Sequence, residues 1–439
     1  MAGNRTRSQT KKVAQPGLAK HDSSVLDLAF AMDCTGSMSS YIKIAQDNIR
    51  NIVEQLVASE KSDIQLALVE YRDHPPQDTT FVTRTHDFTP SVSKMKEWLN
   101  NSSAQGGGDM PEAVADALHD VYKLSWRENS TKICVLISDA PPHGLMQSGD
   151  GFPDGSPSGV DPMVVVRQMA EKGITLYSVG CEPSIIPYKE FFSAIAYLTG
   201  GQYVPLTAAK LLTQVIIGGA QEEMSLEKFM AEVDEEVQKE MAAGREINEE
   251  EMSRRIHSIF KSKGIVTKQL QRNAAELDEA SATSQIYSAQ ANMAELKSKF
   301  TPMASPHMAS LSMAPGFGGG AMRRSRGAPM YPPMASPHMA SLSMAPGFGG
   351  GAMRRSRGAP MYPPMASPHM ASLSMAPGFG GGAMRRSRGA PMYPTPLGMG
   401  EYVEAMDTGD RYETVETAAT EQQVKRMVQK SKMRNVKKF

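Results

Sequence analysis

Cysteine is scarce in this chain: 439 residues contain three, Cys34, Cys134 and Cys181. Each lies in or beside an apolar run, and an odd, sparse set builds no disulfide framework. That usage fits a reducing compartment, so the expected location is cytoplasmic, with the nucleus as the alternative. Long apolar runs are lacking too. No uninterrupted stretch of about 18 apolar residues occurs, which excludes an ordinary membrane-spanning helix. The N-terminus is polar and basic (Arg5, Arg7, Lys11, Lys12, Lys20) without a hydrophobic segment, so no secretory leader is expected. Charge of one sign is also missing, since 47 Lys and Arg balance 47 Asp and Glu. The balance is uneven along the chain. Acids dominate from Glu222 to Glu251, and Val424 to Phe439 is basic again. Such blocks suggest tails and faces for partners.

What is present divides the chain by composition. Residues 1–22 read as a disordered basic N-terminus. Residues 23–220 alternate strand and helix patterns, at a size that buries a sizeable core. Strands are predicted at Val25–Asp33, Ile64–Tyr71, Phe81–Phe88, Lys132–Asp139, Ile174–Gly180 and Gln202–Pro205. Helices are predicted at Tyr41–Ala58, Val92–Leu99, Pro111–Ser125, Pro162–Lys172, Tyr188–Leu198 and Ala208–Ile217. The first helix stacks Ile42, Ala45, Ile49, Ile52, Val53 and Leu56 on one stripe. The runs at Val25, Ile133 and Ile174 are apolar on both faces, as central parallel strands are. Phe81–Phe88 alternates and fits an antiparallel edge. The expected fold class is therefore α/β, a doubly wound, mostly parallel, Rossmann-like sheet with helices on both faces.

Residues 221–300 read as a helical appendage. Leu226, Phe229, Met230, Val233 and Val237 form a stripe on an acidic helix, and Ile256, Ile259 and Phe260 form one on a basic helix. Residues 301–396 are rich in Pro, Gly and Met. They hold three identical 31-residue copies starting at Pro302, Pro333 and Pro364. Pro and Gly every few residues leave too little apolar surface to offset the ordering entropy, so disorder is expected. Each copy contains Arg-Arg-Ser-Arg-Gly and no acid, a cationic patch for weak nucleic-acid or acidic-surface contact or simply a solvated linker. Residues 397–439 read as an acidic-then-basic tail. There Val424, Met427 and Val428 share the face of a short basic helix of the kind that meets a membrane surface, a partner groove or nucleic acid.

The chemistry gathers at Asp33-Cys34-Thr35-Gly36-Ser37. An apolar strand ends at a carboxylate, and two hydroxyls follow at alternate positions before a helix begins. Alternation aims Asp33, Thr35 and Ser37 to one side, as a hard divalent cation requires, although Asp and hydroxyls after a strand are also helix caps. Two further stretches supply oxygen. Gly106-Gly107-Gly108-Asp109-Met110-Pro111-Glu112 opens the third helix, and Val135-Leu136-Ile137-Ser138-Asp139 is a buried strand ending in a carboxylate. In a parallel sheet, Asp33 and Asp139 meet at the C-terminal edge, and Asp109 arrives on a loop.

Asp33-Cys34-Thr35-Gly36-Ser37 resembles the Asp-x-Ser/Thr-x-Ser signature of von Willebrand factor A domains. The glycine-rich loop and Asp139 resemble the other two loops of their metal-ion-dependent adhesion site. Tyr71-Arg72-Asp73-His74, Gly107-Gly108-Asp109-Met110-Pro111-Glu112 and Asp139-Ala140-Pro141-Pro142-His143-Gly144 resemble most the intracellular domains of the von Willebrand A alpha-kinases. The kinase half has no counterpart: a glycine-rich nucleotide loop and a Cys/His zinc set are missing. The resemblance implies a non-enzymatic protein-binding module. Asp33, Thr35, Ser37, Asp109 and Asp139 would hold Mg²⁺, or Mn²⁺ or Ca²⁺, and an acidic group of a partner protein would complete the coordination. Asp109 stands where many members have Thr, which bears on metal preference. His143, Asp73, His74 and Cys34 are expected in structural roles. Two alternatives belong to other classes. One is a haloacid-dehalogenase-like, Mg²⁺-dependent phosphotransferase with Asp33 as nucleophile, against which Thr35 stands where that chemistry needs an acid. The other is a nucleic-acid or membrane adaptor acting through the basic tails.

Overall fold

Apolar residues on both sides of a strand require cover on both sides, and the strands and helices of this chain supply it for one another. The computed structural model describes residues 22–60, 63–146, 148–304 and 409–435. Six strands, β1 (Asp22–Asp33), β2 (Asp63–Tyr71), β3 (Thr83–Thr89), β4 (Ser130–Ser138), β5 (Ile174–Cys181) and β6 (Gln202–Leu206), form a sheet ordered β3-β2-β1-β4-β5-β6. All neighbours are parallel except β3, which joins β2 antiparallel at the edge. The helices between them are α1 (Ser39–Glu60), α2 (Val92–Asn100), α3 (Val114–Lys123), α4 (Pro162–Glu171), α5 (Lys189–Leu198) and α6 (Leu212–Glu227). β1 shows the two-sided burial directly. Leu26, Leu28, Phe30 and Met32 pack with α1, α2 and α6, while Ala29 and Ala31 face α3, α4 and α5. This is the doubly wound sheet expected.

Asp27, the one interruption in β1, is fully buried and fully answered. Arg127 donates to it through both its backbone N and its Nε at 2.7 Å, and the Ser130 hydroxyl donates at 2.7 Å. These donors satisfy the oxygens of the buried carboxylate.

Beyond α6 the helical appendage expected is present, with two strands set among its helices. It forms α7 (Met230–Ala242) and α8 (Glu249–Lys263), then strands β7 (Val266–Arg272) and β8 (Ala275–Glu276), then α9 (Ala282–Ser288) and α10 (Met293–Lys297). Asn248 caps α8 through Glu251 N, acids fill its first turn, Lys261 and Lys263 its last, and Gly264 closes it at φ 64°. Each feature opposes the helix dipole or satisfies its end. The basic N-terminus and the repeats fall outside the described residues.

The basic C-terminal stretch differs from its expected role as a tail. Tyr412–Ala418 is a strand, β9, that pairs antiparallel with β7, and Glu421–Asn435 is a helix, α11, packed on α7 and α8. Val424, Met427 and Val428 are buried there, each contributing about 1.5–3 kcal/mol. Two of the cations that suggested nucleic acid or membrane, Arg426 and Lys430, are buried as well, and Arg434 is half-buried. Arg426 lies 3.1 Å from Glu222 and 2.8 Å from the Tyr177 hydroxyl, Lys430 pairs with Glu223 and, at 2.7 Å, with Glu227, and Arg434 lies 3.2 Å from Glu227. The acidic 222–227 block and the basic helix were read as separate faces because their pairing spans about two hundred residues, a separation no local pattern reveals. Arg426, Lys430 and Arg434 are therefore engaged within the fold.

Removing one member of a buried ion pair strands the other, at a cost of about 3–5 kcal/mol. Lys430→Met is expected to lower stability by that amount in urea unfolding. A loss below about 1 kcal/mol would show that α11 is not held to α6 by this contact.

Candidate metal centre

The sheet topology brings three carboxylates together. Asp33 ends β1, and its strand neighbours in register are Tyr71, which ends β2, and Ser138, next after the Met32–Ile137 pair, which ends β4. Asp139 follows the end of β4 immediately, and Asp73 follows the end of β2 after Arg72. The strand order reverses about β1, so this edge is the switch point where ligands gather in open α/β sheets.

The connecting loops are tied to one another by backbone hydrogen bonds. Gln105 N donates to Cys34 O at 3.1 Å, Glu112 N to Pro141 O at 2.9 Å and Ala113 N to Arg72 O at 2.8 Å. Arg72, buried, donates to Cys34 O, to the Thr80 hydroxyl and to Ser103 O, at 3.1, 2.7 and 2.7 Å, and so joins the same three loops. Gly107, at φ +84°, lets the glycine-rich loop pass close: a Cβ there would lie 3.0 Å from Glu112 Oε1 and 3.5 Å from Thr35.

Asp33 is fully buried. Its Oδ1 accepts from Thr35 N at 2.8 Å and from the Thr35 hydroxyl at 2.6 Å, while Oδ2 has no partner. Burial, and then the charge of Asp139, push its carboxyl up to about 7. Asp139 is raised by burial, against a lowering contact from Ser37. Thr35 is buried and Ser37 exposed, so this group opens to solvent on the Ser37 side. Asp33, Thr35, Ser37 and Asp139 thus stand together.

Asp109 turns elsewhere. It is half-buried, its Oδ2 accepts from Gly151 N, and its side chain contacts Asp73. The acid of the glycine-rich loop that faces Asp33 and Asp139 is Glu112. It is 3% exposed, its Oε2 has no partner, and burial followed by the charges of Asp33, Asp73, Asp139 and Asp109 raises it to about 10. Glu112 sat inside the motif that carried the resemblance, but a Glu after Pro at a helix start reads as an ordinary first-turn acid. Its signal was proximity in sequence to the glycines that let the loop close.

His143, expected in a structural role, is held between two carboxylates. Its Nε2 lies 2.7 Å from Asp73 Oδ1 and its Nδ1 2.8 Å from Asp150 Oδ1, with the side chain 1% exposed. Burial alone would lower its pKa; the bonds to both carboxylates outweigh that and raise it. His74 lies 2.9 Å from Asp116, and Cys34 is buried, with its thiol pushed up by burial and then by Glu70.

Residues 27–200 match the family model of the von Willebrand factor type A domain. That segment is a von Willebrand factor type A domain. Alpha-protein kinase vwkA of Dictyostelium discoideum is 32% identical over 141 residues, 31% of this chain and 22% of that protein, and the match does not reach its kinase domain. The putative ariadne-like RING finger protein R811 of Acanthamoeba polyphaga mimivirus is 28% identical over 204 residues, 44% of this chain and 20% of that protein. Human von Willebrand factor A domain-containing protein 7 is 35% identical over 91 residues, 21% of this chain and 9% of that protein. The chain thus spans about a fifth or less of each of these relatives. Among the described residues, no helix is long and apolar enough to cross a membrane.

The carboxylates of this edge fit a divalent cation on their own terms. Asp33 Oδ2 and Glu112 Oε2 are buried oxygens without partners, in an oxygen-only set suited to a hard ion. Without such an ion, they favour protons. A carboxyl whose folded pKa lies above its unfolded value stabilises fully below the unfolded value and loses that contribution as pH rises to the folded one. For Asp33 the decline runs from 3.8 to about 7, and for Glu112 from 4.5 to about 10. In EDTA the melting temperature is therefore expected to fall between pH 5 and 9, and Mg²⁺ to restore it. Glu112→Gln removes a charge that burial opposes, and is expected to flatten the upper part of that decline and raise the EDTA melting temperature at pH 8 by about 3–6 °C. An unchanged profile in the variant would show that Glu112 carries no such burden.

Proposed function

We propose that the von Willebrand factor A domain of this chain is a cation-dependent protein-binding module. Asp33, Thr35, Ser37 and Asp139 would hold a divalent cation, and the acidic group of a partner protein would reach it from the Ser37 side. The observation that carries this reading is the buried, unpartnered Asp33 Oδ2 at the end of β1. Asp27, six residues earlier in the same strand, gives the contrast: there a buried carboxylate has a guanidinium and a hydroxyl, and at Asp33 only Thr35 answers. A bound cation supplies Lewis acidity toward an incoming carboxylate. Asp109 is left out of this set because its side chain is directed to Asp73.

The residues around the set serve this role by position. Thr35 holds Asp33 Oδ1 in one orientation, and Arg72 locks the loops that carry Asp33 and the glycines. Met110, 56% exposed beside Asp109, offers an apolar contact on the glycine-rich loop. The reading is non-enzymatic. Thr35 bonds Asp33 where a phosphotransferase would place its general acid. The buried, unpaired thiols of Cys34, Cys134 and Cys181 accord with a cytoplasmic setting.

The test is a peptide array probed with the full chain. In Mg²⁺ the captured peptides are expected to share an Asp or Glu whose replacement by Asn or Gln abolishes capture, and EDTA or Asp33→Ala is expected to abolish it too. Capture indifferent to EDTA, or directed at peptides without acids, would contradict the proposal.

A further inference from the structure

A second group of oxygens lies at the same sheet edge, on the β2 side. Asp73 is fully buried. Its Oδ1 takes His74 N and His143 Nε2, and its Oδ2 has no partner. The Asp73 side chain meets that of Asp109, whose Oδ1 is also buried and unpartnered. The Gln77 amide lies over Gly151 near Asp109 Oδ2 with its Nε2 toward that loop, and its Oε1 is a third buried oxygen without a partner. Two carboxyl groups in contact require something between them, either a shared proton or a cation. Asp150 is fixed by Gly144 N, Phe152 N and His143, and one ligand atom each of Asp109, His143 and Asp150 lies within 4.8 Å of the others.

We infer that Asp73 and Asp109, with Gln77 beside them, form a second divalent-cation site distinct from the Asp33–Asp139 set. The oxygen donors suit a hard cation such as Mg²⁺, Mn²⁺ or Ca²⁺. His143 is a positioning residue: both its ring nitrogens are engaged by carboxylates, so it fixes Asp73 and Asp150 rather than ligating. Ligand-orienting contacts of this kind govern metal affinity as strongly as many ligands do. The glycine-rich loop would then be held by an ion at its Asp109 end, while its Glu112 end faces the first set.

Titration of the full chain with Mn²⁺ alone, followed by the loss of the free-ion EPR signal, separates the possibilities. The parent is expected to bind two ions. Asp109→Asn, isosteric and at a half-buried position, is expected to bind one, Asp139→Asn one, and the double variant none, with near-ultraviolet circular dichroism confirming a native fold in each. One ion in the parent, unaffected by Asp109→Asn but lost in Asp139→Asn, overturns the second site and leaves the first. One ion lost equally in either variant merges the two sets and overturns the inference. His143→Gln gives a further readout: weaker binding of the second ion with the first unchanged is expected, and equal affinity for both would remove its positioning role.

Discussion

Like charges crowded at the ends of parallel strands are the constraint on which this structure turns. β1, β2 and β4 stop side by side, and each strand end delivers an aspartate, Asp33, Asp73 and Asp139, to one edge. The backbone hydrogen bonds of the sheet set those positions, so the carboxylates cannot separate to relieve their repulsion. Burial removes the water that would screen them. Glu112 and Asp109 arrive on the glycine-rich loop and intensify the problem. Either protons or metal ions must resolve it, and the unpartnered oxygens mark where they would sit.

The second acidic concentration in the molecule is resolved differently. Glu222, Glu223 and Glu227 on α6 are buried, yet α11 brings Arg426, Lys430 and Arg434 to meet them. The described residues thus contain two buried anionic clusters, one closed by its own cations and one left open. That difference separates the two: among the described residues, only the open one retains buried carboxylate oxygens without a partner. It also makes β9 and α11 part of the folded unit, because without them the α6 acids would be stranded.

Most of the sheet was legible because its signals are local. Apolar runs of strand length, stripes at helical spacing and Pro or Gly at the joints specify β1, β4, β5 and α1 without tertiary information. Asp33, Thr35, Ser37 and Asp139 were legible for the same reason, as they follow strand ends directly. Glu112 was not, because its role depends on how Gly107 folds the loop back toward Thr35. Asp109 was assigned by its place in the motif, and only the contacts to Gly151 and Asp73 show where its side chain goes. β7 with β9, and α6 with α11, pair across more than a hundred residues, and a basic amphipathic helix looks the same in sequence whether its charges face solvent or buried glutamates.

The central claim is that a metal ion, not a proton, neutralises the Asp33 edge. Crystals of the full chain grown with Mn²⁺ and measured at the manganese absorption edge test it directly. The account predicts an anomalous peak between Asp33 and Asp139, bounded by the Thr35 and Ser37 hydroxyls. A map with no peak there, and Asp33 and Glu112 instead bonded to one another through a shared proton, would contradict it.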